Sequence, residues 1–158
     1  MKNILCIVNP VSGLKKSLKV FNEVKNKLQS SNTDLELFVS KYPNHIKDYS
    51  SKINKDEFDK IIIFGGDGTI NEVVNGLSSS SNLDSFKLGI IPTGSGNSVA
   101  HDIGSLKLDV AVKKCLGEKV IKMDVNQVNF DSFTRLSVSV LGWGMFSFGN
   151  IRAEKLRF

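Results

Sequence analysis

The sequence predicts an α/β fold with three layers, in which a mainly parallel sheet is covered by helices on both faces. Continuous apolar runs at residues 4–8, 61–64 and 88–91 are typical of strands buried in a parallel sheet. Each run ends in a loop that carries glycine, and apolar residues at helical spacing follow. A strand–loop–helix order repeated four times favours parallel strands joined by helices that pack on the sheet.

The first half of the chain contains two of these repeats. Apolar residues recur at helical spacing over residues 14–28, which predicts a helix after the first strand. Leu35, Leu37 and Val39 alternate with polar residues and predict a second strand. Residues 43–55 are polar and weakly patterned, and we expect a helix there.

The second half continues the order. Ile70, Val73, Val74 and Leu77 recur at i, i+3, i+4 and i+7, so a helix follows the glycines of the third strand directly, and residues 78–81 are predicted to form a loop. The remaining predicted helices span residues 97–103 and 108–116, and the second of them ends at Gly117.

The pattern changes from about residue 119 onward. Two strand-like segments follow each other without a helix between them, and Leu136, Val138 and Val140 alternate with serines. This alternation is typical of antiparallel strands. We therefore expect an α/β domain over residues 1–120 and the beginning of a β-rich domain over residues 121–158.

Composition and charge restrict the class of protein. Of 158 residues, 41% are hydrophobic and 23% charged, as in a soluble globular protein, and no apolar run is long enough for a membrane span. Cys6 and Cys115 are expected to be buried free thiols in a reducing, cytoplasmic setting. The net charge of +5 comes from scattered lysines, better explained as solvated helix faces. Nucleic-acid binding is disfavoured, because the aromatics are not interleaved with basic residues.

Three loops that contain glycine follow predicted strands, at residues 9–13, 65–69 and 93–97. Ligands of open parallel sheets bind beyond the carboxyl ends of the strands, so we expect these loops to converge into one site. Glycines and a helix start let backbone amides approach a phosphate closely. Gly65, Gly66, Gly68 and Thr69 are therefore candidate phosphate-binding residues.

Asp67 is the candidate catalytic residue of this cluster. A carboxylate repels phosphates, but it is useful if it accepts the proton of an attacking hydroxyl or helps to hold Mg²⁺. Glu72, five residues later, could reach a nucleotide hydroxyl or a metal-bound water. The structural alternative for Asp67 is an ordinary turn or N-cap aspartate, and on this loop alone the two interpretations are equally favoured.

Several common nucleotide motifs are absent from the sequence. There is no Gly-x-x-x-x-Gly-Lys-Ser/Thr, and neither Gly-x-Gly pair has the third glycine of a dinucleotide fingerprint. The spacing of cysteines and histidines does not predict a metal site. A Walker-type NTPase is therefore disfavoured, and the sequence does not carry a dinucleotide-binding fingerprint.

The motifs Gly-Gly-Asp-Gly-Thr-Ile-Asn-Glu-Val-Val-Asn-Gly-Leu (65–77) and Pro-Thr-Gly-Ser-Gly-Asn-Ser-Val-Ala (92–100) together resemble the diacylglycerol kinase catalytic family. Asn9-Pro10 with Ser12-Gly13 also matches it. Two motifs near the end of the chain, Gly-Trp-Gly (142–144) and Glu-Lys-Leu-Arg-Phe (154–158), are similar to the sphingosine and ceramide kinase branch.

The resemblance implies that residues 1–120 are a nucleotide-binding domain and that residues 121–158 begin a truncated, lipid-binding β-sandwich domain, with ATP in the cleft between the two. It implies that Asp67 activates the lipid hydroxyl and that Arg157 contacts phosphate. The other positions that match nucleotide-contacting residues of the family are Asn9, Val11, Ser40, Glu72, Gly94, Ser95 and Gly96.

Two departures from the family pattern qualify these expectations. Asn150 stands where sphingosine kinases have an acidic residue for the lipid amine, so a cationic head group is not favoured. The family also continues beyond Phe158, through most of the second domain. The chain is therefore expected to be a nucleotide-binding half, with a missing C-terminal half or a homo-oligomeric partner.

The leading hypothesis is an ATP-dependent lipid kinase that uses Mg²⁺, acts on a lipid with a free hydroxyl and contacts membranes peripherally. The main alternative is a non-catalytic module that binds ATP or a partner. A weaker alternative is a soluble small-molecule kinase of the NAD-kinase type.

Overall fold

The structure is a computed structural model that describes residues 2–29, 33–80, 83–141 and 152. The strands are β1 (Lys2–Val8), β2 (Thr33–Val39), β3 (Lys60–Gly65), β4 (Leu88–Pro92), β5 (Asn126–Asn129) and β6 (Thr134–Ser137). The helices are α1 (Ser12–Lys15), α2 (Ser17–Leu28), α3 (His45–Ser50), α4 (Asp67–Ser80), α5 (Ser98–Asp102) and α6 (Leu108–Leu116), with a 3₁₀ turn at Leu83–Ser85.

Four parallel strands form the main sheet, in the order β2-β1-β3-β4. The two central strands, β1 and β3, are the continuous apolar runs of the sequence, and their core residues are at most 5% exposed. Strands in the centre of a parallel sheet are covered on both faces, which is why they show no polar alternation. The predicted mainly parallel α/β fold is confirmed.

Helices cover both faces of the sheet. On one face, α3, α4 and α5 pack against Leu5, Ile7, Ile61 and Ile63. On the other face, α2 and α6 pack against alternate residues of the same strands, including Cys6 and Phe64. The period of two along each strand therefore divides the core into two layers.

The two cysteines lie in the second of these layers and are free, as the sequence predicts. Burial raises the pKa of Cys6 to about 12, and the neighbouring Cys115 adds to the shift. Burial also raises the pKa of Cys115 to about 11. Both thiols therefore stay protonated at neutral pH and act as small apolar side chains.

Three local predictions are wrong. Leu14 is not on the buried face of a helix: it is 82% exposed and lies in a turn where Gly13, Leu14 and Lys15 all have positive φ. The helix expected over residues 43–55 is confined to α3, which ends at Ser50. The loop expected at 78–81 begins later, because α4 extends to Ser80.

The antiparallel pair expected after residue 119 is present as β5 and β6. The side chain of Asn75 on α4 hydrogen-bonds to the backbone of Leu136 in β6, and the side chain of Asn71 accepts from the amide of Val138, directly beyond β6. The division into domains at residues 120 and 121 stays a prediction. The predicted features of the C-terminal segment, including Asn150 and Arg157, lie outside the described residues. Among the described helices, none combines the length and apolar composition needed to cross a bilayer.

Gly76 allows α3 and α4 to pack closely. A Cβ atom at this position would lie 2.5 Å from the Lys47 carbonyl oxygen and 2.6 Å from Cβ of Ser50. The opposing atoms belong to backbone and to a buried serine, so they cannot move aside easily. The glycine is therefore required by the close packing of α3 on α4.

We predict that Gly76→Ala lowers the free energy of unfolding by about 1–3 kcal/mol, as overpacking of a core contact does. The matched control is Gly68→Ala in the first turn of the same helix, where a Cβ meets nothing within 4 Å. The control should be neutral or more stable by up to ~1 kcal/mol, because alanine favours helix. Urea unfolding measures both, and equal effects would contradict the packing argument.

Candidate functional site

The three glycine-bearing loops meet at the carboxyl edge of the sheet, which confirms the expected convergence. A Cβ on Gly13 would overlap the carbonyl oxygen of Thr93, and Gly13 has a φ of +54°. A Cβ on Gly66 would lie 2.9 Å from Cα of Gly94, and a Cβ on Gly94 would overlap Gly66. The backbones of the loops after β1, β3 and β4 are therefore in direct contact.

Side-chain hydrogen bonds also join the loops. The Asn9 amide donates to the Thr69 hydroxyl at 3.1 Å, and its own oxygen accepts from the Val11 amide at 3.2 Å. The buried hydroxyls of Ser17 and Thr93 lie 2.7 Å apart. Asn9 and Thr69 are thus brought together, with their side chains engaged in holding the loops.

Asp67 is the first residue of α4, and its carboxylate contacts the start of α5. One oxygen accepts from the Ser98 amide and the other from the Val99 amide, each at 3.0 Å. The residue caps the neighbouring helix, a role close to the structural alternative raised by the sequence. A carboxylate offers about four acceptor positions, so roughly two remain for a ligand.

The loop between Gly94 and Asn97 is fixed by reciprocal hydrogen bonds. The Gly94 amide donates to the Asn97 side chain at 2.9 Å, and that side chain donates back to the Gly94 carbonyl at 2.7 Å. Asn97 has a φ of +56°, a conformation that asparagine tolerates better than most residues. Ser95 and Gly96 lie exposed at the crest. Their amides donate to no acceptor in the described part of the chain.

The glycines of the middle loop differ in what requires them. A Cβ on Gly65 would overlap the buried side chain of Thr69, and Gly66 lies against Gly94. Gly68 is exposed and would meet nothing within 4 Å, and its φ lies outside the left-handed region. No contact within the described residues explains why position 68 is glycine.

Glu72 lies one turn and a half along α4 from Asp67, and its carboxylate faces the start of α3. Burial raises its pKa, while hydrogen bonds from the backbone amides of Lys47, Ile46 and Asn44 oppose the shift and Asp48 adds to it. The contacts that the structure gives to Glu72 are therefore with α3, and not with the three loops.

The remaining predicted residues lie at different distances from the loop contacts. Val11 is 69% exposed in the first loop. Ser40 follows β2 at the same edge of the sheet, where its amide donates to the Val8 carbonyl at 3.0 Å. Arg157 lies outside the described residues.

A cavity of about 310 Å³ opens beside the loops. It is lined by Gly13, Leu14, Lys16, Val20, Pro92, Thr93, Gly94 and Ser95. Lys16 is the cation of this lining, yet the sequence favours a solvated helix face for it. The signal that could have found it is its place directly after the Ser12-Gly13 turn, before the first turn of α2.

Metal-binding side chains are scarce around the site. Within residues 2–29, 33–80, 83–141 and 152, no three acidic, histidine or cysteine side chains gather closely enough to hold a metal ion. Asp67 is the carboxylate at the loop contacts. These residues therefore fit Mg²⁺ only as an ion that a nucleotide brings with it, with most of its ligands from phosphates and water.

The fold and the loops define the class of protein: a parallel α/β domain with three glycine-bearing loops in contact at the carboxyl edge of its sheet. The family model of the diacylglycerol kinase catalytic domain matches residues 3–128. The chain belongs to this family, and its homologues are lipid kinases.

Two relatives illustrate the similarity. The chain is 30% identical to sphingosine kinase 2 of Arabidopsis thaliana over 99% of its own length and 34% of the relative's. It is 28% identical to human ceramide kinase over 92% of its length and 30% of the relative's. The chain thus spans about a third of the length of these relatives.

A solved structure is also similar. The crystal structure of a diacylglycerol kinase from Bacillus anthracis str. Sterne superposes with a TM-score of 0.62 at 30% sequence identity. The match covers 78% of this chain and 42% of that one.

We predict that Glu72 contributes to the free energy of unfolding and that this contribution decreases as pH rises. Its pKa in the folded state lies above the ordinary value of 4.5, so the stabilisation is complete below that value and is lost as pH rises through the folded pKa. Urea unfolding from about pH 4 to about pH 7 measures it. The stability of the parent minus that of Glu72→Gln should fall across this range, and a difference that is flat or rising would contradict it.

Proposed function

We propose that the chain forms the ATP-binding half of a lipid kinase, which transfers the γ-phosphoryl group of ATP to a lipid hydroxyl. The observation that carries this proposal is the contact between Gly66 and Gly94, which sets Asp67 beside the exposed loop of Ser95 and Gly96. Membership of a family of lipid kinases supports the reaction class.

The phosphates of ATP would lie on backbone amides. Ser95 and Gly96 are exposed residues whose amides donate to no acceptor among the described residues, and the fourteen-residue helix α4 begins beside them. A helix start carries a partial positive charge and unpaired N–H groups that suit phosphate. Gly68 fits this proposal, because a glycine that no contact among the described residues requires leaves room for a ligand to approach the backbone. Lys16 in the adjoining cavity adds a positive charge.

Asp67 would accept the proton of the lipid hydroxyl. The hydroxyl oxygen attacks the γ-phosphorus while the bond to the bridging oxygen of the β-phosphate breaks, and the proton passes to a carboxylate oxygen. Mg²⁺, carried by the nucleotide, would neutralise the charge on the phosphates. The two amides of α5 would hold the carboxylate in place, which is the positioning that phosphoryl transfer needs.

The acceptor class rests on the relatives. These relatives include sphingosine kinases, ceramide kinases and a diacylglycerol kinase, so the shared chemistry is a lipid with a free hydroxyl. We propose that class as the substrate, with peripheral membrane contact and a cytoplasmic location.

A second candidate is a non-catalytic module that binds ATP. The capping contacts of Asp67 favour it, because they give the aspartate a structural function without any chemistry. ATP binding without phosphoryl transfer to diacylglycerol, ceramide or sphingosine would support the module, and transfer to any of them would exclude it.

We predict that Gly68→Ala weakens ATP binding about tenfold or more, the loss expected when one charged hydrogen bond is blocked. The matched control is Gly117→Ala at the end of α6, where a Cβ finds ordinary contacts of 3.5 Å. Calorimetric titration with Mg²⁺–ATP measures both. Equal affinities for the two variants would show that ATP does not approach the backbone at position 68.

The Asp67→Asn variant separates the two functions of this residue. From the sequence alone we expect this variant to fold normally. In the structure, however, the asparagine side chain would keep only one acceptor oxygen and would turn its NH₂ donor toward a backbone amide of α5. We therefore expect a loss of about 1–3 kcal/mol in unfolding free energy, as for a charged hydrogen bond. If Asp67 is the base, phosphoryl transfer at saturating ATP and lipid should also fall at least about 100-fold. Transfer at the parental rate would exclude the base, whatever the stability.

A further inference from the structure

We propose that Asn71 and Asn75 are positioning residues, which clamp residues 136–138, at the end of β6 and directly beyond it, along α4 and so align the hairpin with Asp67. Asparagine is a weak helix former, yet two occur four residues apart on one face of α4. The proposal rests on the proposed function, because it assigns the clamp a part in phosphoryl transfer.

The side chain of Asn75 pairs with the backbone of Leu136 as a neighbouring strand would. Its oxygen accepts from the Leu136 amide at 2.9 Å, and its nitrogen donates to the Leu136 carbonyl at 2.8 Å. The same nitrogen donates to the Asn71 carbonyl at 2.8 Å, which fixes the orientation of the amide. Both hydrogen-bonding groups of Leu136 on this edge of β6 are therefore satisfied.

Asn71 continues the pattern one helical turn earlier. Its side-chain oxygen accepts from the Val138 amide at 3.0 Å. Leu136 lies in β6 and Val138 is the first residue beyond it, and their amides are bound by two asparagines that lie four residues apart on one face of α4. Because these bonds reach only backbone atoms, they set the position of the segment and not the identity of its side chains.

The order of the contacts gives the clamp a direction. Leu136 lies beside Asn75 and Val138 beside Asn71, so the segment runs antiparallel to α4 and toward the end that carries Asp67. The helix that presents the proposed base thus also holds the hairpin. An in-line transfer tolerates little displacement, since an error of about 1 Å can cost 100-fold in rate. We infer that the clamp keeps the hairpin, where the predicted second domain begins, aligned with Asp67.

The same substitution at the two positions tests the clamp. Asn75→Asp removes the donor to Leu136 and to the Asn71 carbonyl, whereas Asn71→Asp keeps the oxygen that accepts from Val138. Amide hydrogen exchange should therefore become at least about tenfold faster at Leu136 and Val138 in Asn75→Asp, and change about twofold or less in Asn71→Asp. Similar exchange in both variants would overturn the clamp.

Two further measurements test whether the clamp positions the hairpin for the proposed reaction. In Asn75→Asp, kcat for lipid phosphorylation should fall at least about tenfold with the Kd for ATP unchanged. The activity control is Asn26→Asp, the same substitution at an exposed position of α2 outside the clamp, which should keep the parental kcat. Spin labels on Lys19→Cys and Phe133→Cys should give one narrow distance distribution in the parent and in Asn71→Asp, and a broad one in Asn75→Asp. Unchanged kcat or an unchanged distribution in Asn75→Asp would overturn the positioning function.

These readouts separate the clamp from the reaction it serves. If the parent chain binds ATP but phosphorylates no lipid, the proposed reaction fails for this chain. Exchange and label distances then decide the clamp by the same criteria.

Discussion

The site depends on one close approach, that of the backbones at Gly66 and Gly94. The strands β3 and β4 are paired neighbours, and the loops that leave them at the same edge have space for no side chain between them. With no Cβ on either residue, the two loops touch, and the helices that follow them begin side by side. Asp67 at the start of α4 can then reach the amides that open α5. Larger residues at these two positions would separate the loops and remove that contact.

The contact explains how a very short helix and an exposed loop can be ordered. A helix of five residues is far below the length at which helices are stable alone, so α5 needs partners for its first amides. The Asp67 carboxylate is the acceptor for these amides. Within the preceding loop, the Asn97 side chain hydrogen-bonds to the backbone of Gly94 and so fixes the loop. The exposed amides of Ser95 and Gly96 are thereby held in advance of any ligand, which lowers the entropy cost of binding an anion. The carboxylate beside them repels an anion, so a phosphate bound there needs a cation with it.

The sequence was informative where burial decides the structure. The central strands and helix α4 could be predicted because residues covered on two faces, or on one helical face, leave apolar patterns that depend only on local geometry. Leu14 was misplaced because its conformation is set at a distance. Gly13 packs against the Thr93 carbonyl, and this contact requires a left-handed turn. The apolar spacing of the sequence, in contrast, predicts that a helix continues through these residues.

The site could be predicted as a set of loops but not as a set of contacts. Convergence of the loops follows from parallel topology alone, since the carboxyl ends of parallel strands share one edge. The partners of Glu72 could not be predicted, because α3 lies more than twenty residues earlier in the chain and reaches α4 only in the folded protein. The function of Asn71 and Asn75 was signalled weakly by two poor helix formers on one helical face. Their partner, β6, could not be inferred from spacing.

Helix α4 is the element that joins these separate surfaces. Its first residue, Asp67, contacts α5; Glu72 holds the start of α3; Gly76 lets α3 pack closely; and Asn71 and Asn75 hold β6. Fourteen residues of helix span about 21 Å, and each of these contacts uses a different part of that length. Because a helix is stiff along its axis, a displacement imposed at one contact shifts the others. The proposed phosphoryl transfer would depend on this rigid connection, because it needs the loops on one side and the hairpin on the other to keep a fixed separation.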